Sequence, residues 1–325
     1  MKKFKKIIRA VLVLAVLAGL IYLIPKVITV VRLKRAADSY VAASSVSTFK
    51  DSKTTIIYDT NDQELCTMKN TKDMYYVSYQ EIPVTLVNSF VVMEDRQFYK
   101  HSGYDIKAIL RAIVINQKSN DIAQGASTIT QQLARNIFLS QEVTWQRKVE
   151  EIFIAVGLEK KYSKNQILEF YLNNIYFGNG YYGVEAAARG YFDKSVSELT
   201  LAEQTFIAAI PNNPTRYNPL TNYDNTVQRK NLILQQLYEA DDIGSLDRYM
   251  AEIEEVVLNP HQTEEINNSV VTYARHCATE SLMSVSGFTF RYNFSSEDDY
   301  NAYEATYDTF YNMCQQKLLS GGYSI

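Results

Sequence analysis

Residues 7–24 form an eighteen-residue run whose only charged member is Arg9. Such a run is too apolar for a surface helix, and it is just long enough to span a bilayer, for which a helix needs about 20 residues. Lys2, Lys3, Lys5 and Lys6 precede it, and Arg9 sits close enough to its start to extend its head group towards the interface. That bias places the amino terminus in the cytoplasm and the rest of the chain outside. A cleaved signal peptide is the competing reading, but its apolar core normally covers about 7–15 residues.

The 325 residues exceed one typical domain of about 100–200, so one sizeable domain with accessory segments is expected. The net charge of −3 is unevenly distributed. Glu239–Phe310 holds fifteen acids against three bases, so positive charge is in excess elsewhere. Basic surface beside a membrane suits anionic head groups or a phosphorylated ligand; no nucleic-acid partner is expected. Cys66, Cys277 and Cys314 are odd in number and far apart, giving neither a disulfide framework nor metal-ligand spacing. The 25 tyrosines suit grooves and interfaces in which one end of each ring stays wet.

Most of the chain reads as helix. Thr54–Tyr58 is the exception, β-branched and aromatic, with a turn at Asp59–Asp62. Asp105 is placed to cap a helix over 106–117. Trp145–Tyr162 carries Val149, Ile152, Phe153 and Val156 at helical spacing. Ser163 with Gln166 and Thr200 with Glu203 are capping-box signals, the first opening a helix towards Phe177 and the second a helix that ends before Pro211. Residues 224–258 read as acidic helix.

Two stretches are dense in polar residues where a plain helix would not need them. The first, Glu94-Asp95-Arg96-Gln97-Phe98-Tyr99-Lys100-His101-Ser102-Gly103, follows the apolar run Phe90–Met93. The second runs from Gln124 to Asn136 and contains Gly125-Ala126-Ser127-Thr128-Ile129-Thr130-Gln131-Gln132. A third, Arg147-Lys148-Val149-Glu150-Glu151, sets a carboxylate beside paired cations. Together they resemble the peptidoglycan glycosyltransferase family, the lipid II polymerases, whose motifs read E-D-x-x-F-x-x-H-x-G, G-[GA]-S-T-[IL]-[TS]-Q-Q and R-K-x-x-E. Tyr171–Gly178, Gly183–Ala188 and Leu199–Glu203 look like later blocks of the same family, in order. The resemblance spans roughly residues 75–220.

That resemblance implies a mainly α, lysozyme-like glycosyltransferase domain with an amino-terminal transmembrane helix and a short β-containing segment before the domain. It divides the chain into a cytoplasmic tail (1–6), anchor and start of stalk (7–31), stalk and strand segment (32–74), glycosyltransferase domain (75–222), and an acidic, Tyr-rich region (223–325). The implied reaction joins lipid II units by inverting transfer into β-1,4-linked strands and releases undecaprenyl diphosphate. The implied location is the outer face of a bacterial plasma membrane. Glu94 is the implied general base, acting on the acceptor sugar's 4-hydroxyl. Glu151 is the second catalytic carboxylate. Cations suit the departing diphosphate. The implied substrate contacts are Asp95, His101, Arg111, Ser127, Thr128, Thr130, Gln131, Gln132, Arg135, Asn136, Arg147, Lys148 and Asn173. The sequence requires no cofactor and admits a divalent cation, Mg or Mn, at the diphosphate beside Glu151. Expected partners are lipid II, the growing glycan strand, the bilayer, and other wall-synthesis or division proteins.

The chain departs from the family pattern at Val143, where an arginine is frequent, at Asp193, where glycine is common, and at Arg135, where lysine is usual. Its last residues, Gly321–Ile325, resemble the segment that leads into a transpeptidase domain in bifunctional penicillin-binding proteins. Ser47–Lys50 fits S-x-x-K without any following K-T-G or K-S-G, so no transpeptidase activity is expected. Two other functions fit the same residues. One is a lysozyme-like peptidoglycan-cleaving enzyme, which also uses a protonatable glutamate. The other is a non-catalytic lipid II-binding assembly protein.

Overall fold

A computed structural model describes residues 2–50, 54–68, 73–108, 127–140, 142–260 and 269–325, with residues 2–21 and 320 described by backbone alone. The described chain is mainly helical, with two short two-stranded sheets. It divides into two compact units, Met1–Ser44 with Gln97–Ile167 and Ser45–Arg96 with Leu168–Ile325.

In the first unit, Lys2–Ala43 is one helix that continues through Pro25. The Thr29 hydroxyl donates to the Pro25 carbonyl at 2.9 Å, on the turn that follows the proline. The helix covers the expected anchor at 7–24, most of which has no described side chains; among the described residues no helix is long and apolar enough to cross a membrane. Its carboxyl end packs on the Trp145–Lys161 helix, where Gly157 makes room for Val41: an added Cβ would lie 2.8 Å from Val41 Cγ2. Lys161 then donates to the carbonyls of Val41, at 2.7 Å, and Ser44. A cation thus meets the carbonyls at a helix terminus, where the macrodipole favours it. The Ile129–Phe138 helix also belongs to this unit.

In the second unit, Thr55–Tyr58 pairs antiparallel with Glu64–Met68 around a turn in which Asp59 Oδ1 accepts from the Asn61 and Gln63 amides, both at 2.8 Å. The chain end joins this hairpin: Ile56 N donates to Tyr323 O at 2.9 Å and Tyr58 N to Ile325 O at 2.8 Å. Ile57, Met68, Val271 and Leu318 bury a small apolar cluster beneath it. Asp73–Met74 pairs in parallel with Tyr181–Tyr182. The main core lies among Val84–Glu94, Leu201–Ala209 and Tyr223–Glu239, where Phe90 sets its edge against Tyr171 (5.9 Å, 80°) and Phe177 (6.2 Å, 87°). Ser269–Val285 and Glu297–Ser320 form a helical hairpin with its own apolar cluster of Met283, Phe288 and Cys314.

Both expected capping boxes are present. Ser163 and Gln166 exchange bonds of 3.0 and 3.3 Å, and Thr200 and Glu203 bonds of 2.9 and 3.2 Å. The first helix stops at Asn174 rather than Phe177, because Phe177, Gly178 and Tyr181 close a turn instead. The second stops at Ala209, ahead of a short 3-10 turn that contains Pro211. Asp105 Oδ1 accepts from the Lys107 and Ala108 amides, as a helix cap should; residues 109–117 of that expected helix lie outside the described residues.

Candidate active site

In the first unit, the third motif lies at the start of the Trp145–Lys161 helix, whose amino end is capped by Thr144 Oγ1 accepting from the Arg147 amide at 3.1 Å. Arg147 and Glu151 are one turn apart, so they share a face. Glu151 is fully buried and its Oε1 accepts from Lys148 Nζ, which also donates to Ser127 Oγ at 2.7 Å. Glu151 Oε2, Arg147 Nε and Gln131 Nε2 are buried with no hydrogen-bond partner among the described residues. A buried polar atom left unpaired costs about 1–3 kcal/mol, so three in one unit point to a use beyond stability.

The remainder of the first motif docks onto the same helix. Gly103 has φ +106°, and a Cβ there would lie 2.8 Å from the backbone of Ala155 and Val156. Its amide donates to His101 Nδ1 at 3.0 Å, which makes that nitrogen an acceptor. Glu159, one turn beyond Ala155, accepts from Thr130 Oγ1 at 2.6 Å and from Lys164 Nζ at 2.8 Å, with His101 Nδ1 at 3.9 Å. Lys164 also donates to the His101 carbonyl at 2.8 Å and lies 4.3 Å from the centre of the Phe98 ring.

The second motif is largely turned to internal use. Thr128 caps the Ile129–Phe138 helix in a capping box with Gln131, and its hydroxyl donates to the Gly103 carbonyl at 2.9 Å. Thr128, Thr130 and Gln131 are buried, whereas Gln132 and Arg135 are half-buried and Asn136 is exposed. Thr128 and Thr130, expected as substrate contacts, spend their hydroxyls on the fold. Arg111, Gly125 and Ala126 lie outside the described residues.

In the second unit, Glu94 is the last residue of the Val84–Glu94 helix and is half-buried. Asp95 follows, buried, its amide donating to the Val91 carbonyl at 3.0 Å, and Arg96 Nε donates to the Val92 carbonyl at 3.0 Å. The fold therefore fixes the helix end at the two acids. Asn173, expected as a substrate contact, serves as a structural clip. Its Oδ1 accepts from the Val77 amide at 2.9 Å, and its Nδ2 donates to Val77 O at 2.9 Å and Glu169 O at 2.8 Å, which uses both of its amide protons. Tyr76 donates to Glu169 at 2.5 Å, and its pKa is pushed up, by burial first and then by that carboxylate.

A family model described as Transglycosylase matches residues 61–238, more than half the chain, and takes in every motif above. The chain belongs to the transglycosylase family. This transglycosylase is 43% identical over 212 residues to Penicillin-binding protein 4 of Bacillus subtilis, covering 65% of this chain and 34% of that one. It is 43% identical over 198 residues to Penicillin-binding protein 1A of Aquifex aeolicus, covering 61% and 25%. It thus spans a quarter to a third of the length of these relatives. A crystal structure of Penicillin-Binding Protein 1A from Haemophilus influenzae superposes over 71% of this chain and 24% of that one. At 20% identity and a TM-score of 0.38, that superposition is too loose to compare the folds in detail.

One departure from the family pattern resolves locally. Asp193 takes φ 54° and ψ 40° as the left-handed cap of the Val184–Phe192 helix, a conformation that Asp tolerates better than most residues. Val143 is 91% exposed just ahead of the third motif's helix. Glu159 and Lys164 are the site-region residues that motif reading missed. Their signal was Glu159 on the face that buries Glu151, Ala155 and Leu158, where a solvated acid would not belong.

Proposed function

We propose that this transglycosylase polymerises lipid II into β-1,4-linked glycan strands with inversion, releasing undecaprenyl diphosphate. The observation that carries this reading is the family match across 61–238, with both motif carboxylates inside it, one at a fixed helix end and one buried with an unpaired oxygen. Glu94 takes the proton from the acceptor sugar's 4-hydroxyl as that oxygen bonds to the donor's anomeric carbon. The bond from that carbon to diphosphate breaks, and Arg147 and Lys148 neutralise the departing charge. Glu151 holds Lys148 in place, and Thr128, Thr130 and His101 set the backbone around it. Asp95, Ser127, Gln131, Gln132, Arg135 and Asn136 complete the substrate contacts.

Glu151 Oε2, the carboxylate oxygen that Lys148 leaves unpartnered among the described residues, would be the protein ligand of a divalent cation, which would neutralise diphosphate charge there. Among the described residues no group of three His, Cys, Asp or Glu forms an all-protein cage. The amino-terminal helix anchors the chain in the plasma membrane with its lysines inside, and the catalytic region takes a lysozyme-like fold on the outer face. Other wall-synthesis proteins are the natural partners of such an enzyme. Incubation of the full chain with lipid II in detergent tests this reading. Glycan strands with loss of lipid II support it; digestion of purified wall without lipid II consumption contradicts it.

A further inference from the structure

The Ser245–Ile253 helix turns its apolar face to solvent. Leu246, Tyr249, Met250 and Ile253 fall at i, i+3, i+4 and i+7, the spacing of one face, yet they are 69, 54, 54 and 59% exposed. Such a stripe normally points into a core. Here it cannot, because the opposite face is already engaged. Ala251 is buried, and Arg248 reaches Gln235 and lies 5.0 Å over the Tyr238 ring. Lys230, itself 1% exposed, donates to the carbonyls of Ala251 at 2.8 Å and Glu252 at 3.3 Å, pinning the carboxyl end of the helix. A contiguous apolar stripe on a fixed helix marks an interaction site.

The charge around the stripe selects the occupant. Residues 239–258 contain seven acids and one base, Arg248. At 100° per residue, Asp247 borders one side of the stripe and Glu252 the other. Beside it opens a cavity of about 520 Å³ lined by Asp241, Asp242 and Asp247 together with Tyr238. Those acids repel an anionic bilayer, and in an isologous dimer they would face their own copies. The family match ends at residue 238, so the four stripe residues and the three acids of the cavity lie outside it.

We propose that the Ser245–Ile253 helix docks a basic amphipathic helix of a partner protein, its aliphatic face on Leu246, Tyr249, Met250 and Ile253 and a long cationic side chain in the Asp241/Asp242/Asp247 cavity. This is helix-on-helix recognition with charge-set specificity. It stands independently of the reaction assigned above.

The test uses the full chain and two fluorescent synthetic helices of about 18 residues with the same leucine face, one flanked by lysines and one by glutamates. The lysine peptide binds at about 0.15 M salt and weakens as salt rises, while the glutamate peptide binds at least about tenfold more weakly. Leu246→Ser/Ile253→Ser and Asp242→Asn/Asp247→Asn each weaken the lysine peptide about tenfold, with lipid II turnover and circular dichroism unchanged. Equal binding of both peptides, no binding, or binding indifferent to both double variants overturns the proposal. So does a concentration-dependent dimer in sedimentation that Leu246→Ser/Ile253→Ser abolishes, which would make the occupant a second copy. Binding to phosphatidylcholine–phosphatidylglycerol vesicles that the same variant abolishes would make it a membrane, and equally overturns the proposal.

Discussion

Glu159 accepts a 2.6 Å hydrogen bond from the hydroxyl of Thr130 and so joins the second motif to the helix that carries the third. The same carboxylate holds Lys164, which in turn holds the His101 carbonyl and so reaches the first motif. One acid outside every motif, its side chain 6% exposed, therefore ties parts of all three.

Glu159→Gln keeps an acceptor for Thr130 but strands Lys164 without its carboxylate. Loss of one partner from a buried pair costs about 3–5 kcal/mol; Lys164 is 23% exposed, which reduces this to about 2 kcal/mol. Urea unfolding measures it. Adding Lys164→Met recovers part of the loss if the two residues are coupled. Additive losses would mean that the pair does not act as a unit.

Gly103→Ala meets two obstacles: a φ of +106° and backbone atoms of Ala155 and Val156 2.8 Å from the new Cβ. The substitution destabilises by about 2 kcal/mol or more, because neither the dihedral nor a helix backbone can yield cheaply. A melting temperature unchanged from the parent chain would show that this contact does not constrain the fold.

The Ser163–Gln166 and Thr200–Glu203 boxes, the turn at Asp59 and the Trp145–Lys161 helix were all legible, because each rests on residues within a few positions of one another. The Thr128–Gln131 box follows the same local rule, but its residues were read as ligand groups because the motif is so polar. Glu159 was missed since an acid in an amphipathic helix ordinarily reads as solvated surface. The pairing of Tyr323 and Ile325 with the Thr55–Tyr58 strand joins opposite ends of the chain and leaves no periodic trace. Glu94 and Glu151 were found from motif resemblance; that Glu151 is buried with an oxygen unpaired among the described residues came only from packing.

In the helical hairpin, the Arg291 fork beside Asp299, joined by the Ser295 amide and hydroxyl, holds the Asp299 carboxyl down at about 2. A carboxylate with a depressed folded pKa stabilises above its unfolded value of about 3.9 and loses that contribution as pH falls through the folded one. Acid titration of the hairpin's tyrosine signal should therefore show a loss of structure between about pH 4 and 2 that Asp299→Asn removes. An identical acid limb in both proteins would show that the Arg291 contact is not maintained in solution.

The central claim is that Glu94 accepts the proton in glycan polymerisation. The most direct measurement compares lipid II turnover by the parent chain and by Glu94→Gln, with thermal melting of both. The account predicts melting within a degree or two and a loss of rate of at least about a hundredfold, the lower range of a general base's contribution. Near-parental turnover by a folded Glu94→Gln chain would contradict it.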